Sequence, residues 1–266
     1  MKNVQTFRAS CAAGDKTGAT AWLIATETLK GPDEAAYDAF VHVMKGLLHR
    51  SPVVIKLQDV GHLSEREARI AALLTRHAPP NVIVPICDFK CKNDLIEWKR
   101  PLTSAKQFCS GNTDTTSVFV MEYIPHNLIE FLSTTSVTAS VYRSILKQLG
   151  FALANLHVGL KITHGDIGSG NLMIKITEPP RTIHYTINGE VYSVDTLGYE
   201  PILIDFQRSY RYSGQTDYGI LADEIAMTFD VIVRWAKDPP FSLTGVLEEL
   251  GMTTRVSDIL RLLTNM

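Results

Sequence analysis

The chain has 266 residues, of which 45% are apolar and 20% charged, enough for one large domain or two small lobes with an ordinary core. A net charge of −2 excludes a surface dominated by phosphate-backbone binding, so direct nucleic-acid binding is not expected. Four cysteines (Cys11, Cys87, Cys91 and Cys109) are too few and too unevenly spaced for a disulfide framework, and no second Cys/His pair follows at metal-finger spacing. The opening MKNVQTFRAS lacks the apolar core of a signal peptide, and no run of about 18 apolar residues occurs. The expectation is a soluble, intracellular protein of a reducing compartment, with no membrane partner.

In chain order, AWLIATET (21–28) and PVVIKLQDV (52–60) read as strands, being short, β-branched and bounded by Gly or Pro. Between them, apolar residues at three-and-four spacing over 33–50 predict an inserted helix. LSEREARIAALLTRH (63–77) is a clearer helix, with Ser64 suited to the N-cap and Glu67 three residues on as its capping-box partner. NVIVPICDFK (81–90) and VFVMEYI (118–124) predict further strands, with 99–117 as a polar loop. The second half changes character. A long amphipathic helix is expected over 139–160, then a loop, the strand NLMIKI, an insertion over 177–200 and the strand PILIDF (201–206). An apolar helix over 217–236 follows, with Ile220, Ala226, Phe229 and Val233 as its core stripe, and one or two more helices occupy 242–266. Strands first and helices second predict an α+β protein of two lobes, with MEYIPHN (121–127) as the join.

The chemistry concentrates in THGDIGSGNLMIK (163–175). His164, Asp166 and Asn171 have the spacing H-x-D-x-x-x-x-N, and Asp205 ends a later strand as D-F. Phosphoryl transfer needs these residue types: a carboxylate to orient a hydroxyl, hard oxygen ligands for Mg²⁺, and cations for the phosphate charge. Asp166 is expected to accept the hydroxyl proton, and Asn171 and Asp205 to hold the metal. Gly168, Ser169 and Gly170 are expected to let the loop fold tightly. His164 is expected to be structural, packing and bonding to backbone.

At these positions the chain resembles a eukaryotic-type protein kinase, and the resemblance extends over about residues 10–236. VVIK is similar to the lysine-bearing third strand, which implies that Lys56 grips the α- and β-phosphates. Glu67 then aligns as its partner on the regulatory helix, with Glu65 as the alternative. FVMEYI resembles the gatekeeper and hinge, implying Met121 as gatekeeper and the backbones of Glu122 and Ile124 as readers of the adenine edge. Gly14 and Gly18 fall where the phosphate-covering loop belongs, without the pattern G-x-G-x-x-G, and read as a turn between strands. DYGILADEIAM resembles the start of the central helix, with Asp217 bracing the catalytic loop. The implied fold is bilobal, with a β-sheet N-lobe over 1–121 and a mainly helical C-lobe over 122–266. The implied cofactors are ATP and Mg²⁺ (or Mn²⁺), and the implied partner is a protein substrate with a Ser/Thr acceptor.

Several positions depart from that family's usual pattern. Gly165 stands where many regulated kinases carry an arginine that reads an activation-loop phosphate. Gly168 replaces a lysine, Gln207 replaces the glycine after D-F, and no A-P-E follows. Arg208 and Arg211 lie near the shortened segment, where they could replace the missing lysine or attract an acidic substrate. The departures resemble haspin-type kinases and the compact kinases of large DNA viruses. An active Ser/Thr kinase is therefore expected. The alternatives are a pseudokinase acting as a nucleotide-binding or scaffolding module, and a small-molecule kinase of the aminoglycoside or choline type.

Overall fold

A computed structural model describes residues 23–30, 41–48, 50–93, 106–107, 114–214, 217–239, 242–253 and 255–266. Gly14 and Gly18, and the first part of the helix expected over 33–50, lie outside the described residues. The fold is α+β, and the chain divides into two compact units, one from residues up to Ala71 with Val84–Tyr123, the other from Ala72–Ile83 with Ile124–Met266.

The first unit is built on an antiparallel sheet of β1 (Leu23–Lys30), β2 (Val41–Leu48), β3 (Ser51–Asp59), β4 (Cys87–Asn93), β5 (Lys106–Gln107) and β6 (Asp114–Glu122), in the order β4-β6-β3-β2-β1-β5. Alternation along β3 explains its placement. Val53, Ile55 and Leu57 are buried in a cluster with Leu23, Met44, Leu48, Val118 and Val120, while the intervening side chains take the opposite face. The helix expected over 33–50 is corrected: residues 41–48 form strand β2, whose burial alternates. Its inward positions are His42, Met44, Gly46 and Leu48, so a polar residue and a glycine mask the period-two pattern. Gly46 is required there, because a Cβ would lie 2.3 Å from Ile55 Cδ1 and 2.6 Å from Ile24 O. The loop expected over 99–117 is also corrected, since it holds β5 and the start of β6.

Helix α1 (His62–His77) starts two residues before the expected cap. Ser64 lies inside the first turn, where its Oγ accepts from Gly61 N at 2.9 Å, the reach-back half of a capping arrangement. Cys87 and Cys91 are both disulfide-bonded, which corrects the expectation of reduced thiols. Count and spacing along the chain do not report which sulfurs the fold brings together.

In the second unit β7 (His126–Asn127), β9 (Leu172–Ile176) and β12 (Tyr199–Leu203) form an antiparallel sheet in the order β12-β9-β7. β8 (Ile162–Thr163) pairs with β13 (Tyr210–Arg211), and β10 (Thr182–Ile187) with β11 (Glu190–Asp195). Asn188 and Gly189 turn the β10–β11 hairpin with φ of 53° and 83°, as a primed two-residue turn requires. The strand expected over 81–90 survives before β4 only as one bridge, Val82 to Leu203. Asn81 there donates to Gln148 Oε1 at 3.0 Å and Pro201 O at 2.7 Å, and accepts from the Tyr185 hydroxyl.

The helices of this unit are α2 (Leu128–Thr134), α3 (Ala139–Ala154), α4 (Tyr218–Trp235), α5 (Thr244–Met252) and α6 (Val256–Asn265). A six-residue π-helical turn, Asn155–Leu160, continues α3 and stops at Lys161, whose φ of 60° is left-handed. α3 meets α6 closely at Gly150, where a Cβ would be 2.4 Å from Leu263 Cδ2. The core stripe of α4 is Leu221, Ala222, Ile225, Phe229 and Ile232. Of the four residues expected, Phe229 is buried, while Ile220, Ala226 and Val233 flank the stripe half-buried. Among the described residues, no helix is long and apolar enough to cross a membrane.

Candidate active site

In the first unit β3 directs Lys56 away from the aliphatic core, onto α1. The lysine is 4% exposed and its Nζ lies 2.9 Å from both Glu67 Oε1 and Oε2. Gln58, two residues along the same strand face, donates to Glu67 Oε2 at 2.9 Å. A buried ammonium demands such a partner. Glu67 is therefore engaged by two residues of β3. Glu65 faces outward to Lys90 at 3.7 Å, with side chains 54% and 45% exposed, a pairing of little energetic weight.

At the end of β6, Met121 pairs across the sheet with Val54 and Glu122 with Val53. Tyr123 lies under Lys45, whose Nζ is 4.5 Å from the ring centroid. Ile124 is buried in the second unit.

In the second unit the loop 164–171 runs from β8 into β9. Asn171 Nδ2 donates to Asp166 O at 2.7 Å and approaches Asp166 Oδ2 at 3.3 Å. The amide nitrogen thus clamps the two ends of the loop together, and the Oδ1 of the same group is an acceptor. Ile204 N donates to Asn171 O at 3.1 Å, which sets Asp205, two residues past the last β9–β12 pair, next to the residue bonded to Asn171. Asp205 has φ of 64°, a left-handed conformation uncommon outside glycine, and Gln207 N approaches its Oδ1 at 3.4 Å. An amide oxygen and a carboxylate are hard donors of the kind Mg²⁺ takes, so Asn171 and Asp205 fit a divalent ion in ligand chemistry.

The role expected of the glycines is corrected. Gly168 is extended (φ −159°), and a Cβ at Gly168 or Gly170 would meet nothing within 4 Å. The glycine the loop requires is Gly165, with φ of +73° and a would-be Cβ 2.8 Å from Arg208 O.

His164 is fully buried, with Nε2 2.9 Å from Ile204 O and its ring 4.8 Å from that of Phe206. Burial pushes its basicity below the ordinary range, outweighing the opposing pull of the Glu224, Asp205 and Asp166 charges and of the Ile204 carbonyl. It is thus a neutral, structural ring. The unfolded chain protonates His164 near pH 6.5, about where a free histidine titrates, while the folded ring resists until lower pH. Stability contributed by the neutral ring is therefore full above that pH and declines as pH falls toward the folded value. His164→Gln, which keeps a donor but cannot titrate, is expected to flatten this decline as pH falls below about 6.5. Denaturant midpoints measured across that range check it, and an unchanged slope would count against the assignment.

Glu224, which the sequence reading missed, anchors the loop. It lies on the buried face of α4 and accepts from His157 Nε2 at 2.7 Å, His164 N at 3.1 Å and Gly165 N at 2.6 Å. Burial pushes its carboxyl up, but the His157 hydrogen bond and charge and the two amides outweigh burial and hold it below the usual range. The bracing expected of Asp217 is corrected: its Oδ1 caps α4, accepting from Gly219 N at 3.0 Å and Ile220 N at 3.3 Å. The signal for Glu224 was present in the sequence, since a carboxylate one turn from Leu221 and beside Ile225 on an apolar stripe requires donors.

No family model matches the chain. A stretch of 67 residues, 25% of this chain, is 37% identical to "Uncharacterized protein ZK177.2" of Caenorhabditis elegans and covers 22% of that protein. A stretch of the same length is 36% identical to the serine/threonine-protein kinase haspin of Bos taurus and covers 8% of it. The chain thus matches a quarter or less of either relative's length, and the similarity to a Ser/Thr kinase is partial.

Proposed function

We propose that this chain is a compact, atypical protein kinase that transfers the γ-phosphate of ATP, with Mg²⁺ or Mn²⁺, to Ser or Thr of a protein substrate. The β-rich unit is then the N-lobe and the helical unit the C-lobe of a bilobal kinase-like domain. The observation that carries the reading is the closed loop in which Asn171 is hydrogen-bonded to Asp166 and to the residue next to Asp205. The buried Lys56–Glu67 pair and the partial similarity to haspin support it.

In this mechanism Lys56, held by Glu67, positions the α- and β-phosphates, and the backbones of Glu122 and Ile124 read the adenine edge. Asn171 and Asp205 would hold a divalent ion, which would supply charge neutralisation at the phosphates. Asp166 orients the acceptor hydroxyl and takes its proton. Most of the acceleration then comes from positioning and electrostatics.

The test is γ-phosphate transfer to a generic basic protein with Mg²⁺ or Mn²⁺. Asp166→Ala is expected to lower the rate by about 10²–10⁴-fold, the usual contribution of a positioned acid–base group, and Asp205→Ala to lower it through loss of a metal ligand. Transfer that persists in both variants would assign the signal to a contaminant. No transfer by the wild type, with nucleotide still bound, would make the chain a nucleotide-binding module.

A further inference from the structure

We propose that Arg208 is a catalytic residue of the same site: its guanidinium neutralises the γ-phosphoryl group as that group passes to the acceptor hydroxyl. The inference rests on the kinase reading above and adds to it the cation that the loop lacks.

Phosphoryl transfer spreads negative charge over three equatorial oxygens, and a preorganised cation at those oxygens is a large part of catalysis. The loop that carries Asp166 holds none: from Asp166 to Asn171 it reads DIGSGN. A cation does reach Asp166 from another segment, since Arg208 Nη1 lies 3.8 Å from Asp166 Oδ1. With side chains 72% and 38% exposed, that contact contributes little to stability.

The backbone around Arg208 is fixed by four contacts. Tyr210 and Arg211 pair with Thr163 and Ile162. Ser209 Oγ donates to His164 O at 2.6 Å, and Ser209 N donates to Phe206 O at 3.2 Å. The carbonyl of Arg208 occupies the space that a Cβ of Gly165 would fill, at 2.8 Å. Arg208 is thus tied to the residue next to Asp166, while its head group is long, exposed and held by one weak ion pair. That is the arrangement a displaceable charge needs. Asp166 must give up Arg208 to take the hydroxyl proton, and an arriving phosphoryl group offers the arginine a bidentate anionic partner in exchange.

The step balances. The bond between γ-phosphorus and its bridging oxygen breaks, with the electron pair leaving on the diphosphate. The hydroxyl oxygen bonds to phosphorus, and its proton passes to Asp166. Arg208 stays protonated throughout.

The experiment compares wild type, Asp166→Ala, Arg208→Ala, Arg208→Lys, the double variant Arg208→Ala/Gly168→Lys, and Arg211→Ala. The readouts are steady-state transfer kinetics, equilibrium ATP binding and thermal melting. Gly168 suits the rescue because a Cβ there meets nothing within 4 Å and its backbone is extended. Arg208→Ala is expected to melt like wild type and to lower kcat by about 10²–10³-fold, as removal of one oxyanion donor does, with ATP binding nearly unchanged. Arg208→Lys and the double variant are expected to regain about tenfold or more of that loss, because either returns a cation to the transferring group. Arg211→Ala is expected to behave as wild type.

Wild-type kcat in Arg208→Ala, a loss confined to KM, or a loss that neither lysine restores overturns the proposal. If transfer depends on Asp166 but is indifferent to Arg208, the kinase reading stands and this inference alone fails. If the wild type transfers nothing, both fall.

Discussion

Replacing Glu224 by alanine is expected to lower the unfolding free energy by about 3–5 kcal/mol, the cost of removing one member of a buried charged network. Three buried donors lose their acceptor at once: the His157 ring and the amides of His164 and Gly165. Each orphaned donor costs about 1–3 kcal/mol, and the whole protein is expected to have only about 5–15 kcal/mol to lose. The two amides open the loop that carries Asp166, so phosphate transfer should vanish even at temperatures where the variant stays folded. Glu224→Gln keeps one acceptor oxygen but turns an NH₂ group toward a donor, and about half the loss is expected. Urea titration of the three proteins at neutral pH checks the order. The sign with pH also follows. Because the folded carboxyl is held below the ordinary glutamate range, its contribution is complete above about pH 4.3, where an unfolded glutamate titrates, and is lost as pH falls through the lower folded value. The gap between wild type and Glu224→Ala should therefore narrow in acid. Equal stability of the two proteins at neutral pH would refute the anchoring role.

Lys56→Met separates stability from function. The variant leaves Glu67 5% exposed and without its ammonium, and a loss of about 3–5 kcal/mol is expected. Converting Glu67 to glutamine as well removes the stranded charge, and its amide oxygen still accepts from Gln58 Nε2. The double variant Lys56→Met/Glu67→Gln should therefore recover most of the lost stability, because a buried ion pair exchanged for neutral groups is close to balanced. It should not recover transfer, since the cation that positions the α- and β-phosphates is gone. If the double variant both refolds and transfers phosphate at the wild-type rate, Lys56 is a structural lysine. Chemical denaturation and the transfer assay, run on the same preparations, read the two effects independently.

Much of the site was legible before folding. A lysine following Val53, Val54 and Ile55 in an apolar strand had to find a carboxylate, and of the two on helix α1 Glu67 lies buried beside Lys56, while Glu65 points to solvent. The spacing of Asp166 and Asn171 also anticipated their meeting, because five residues of loop can close on themselves. Helices α3 and α4 were visible from the period of their apolar residues. Strand β2 was not, since its inward face carries His42 and Gly46 among Met44 and Leu48, and the hydrophobic pattern then fits a helix as well as a strand.

The local chemistry is written in the order of residues alone: which types sit within a few positions of one another, and which of them a core cannot hold alone. The anchoring of the loop that carries Asp166 comes from segments far apart in the chain. Glu224 meets His164 and Gly165 across 60 and 59 residues of chain, and Arg208 comes beside Asp166 only because β13 pairs with β8. The physical reason is that such contacts depend on how helices and strands are set against one another. A buried carboxylate announces that it needs donors, but not which distant amides will provide them.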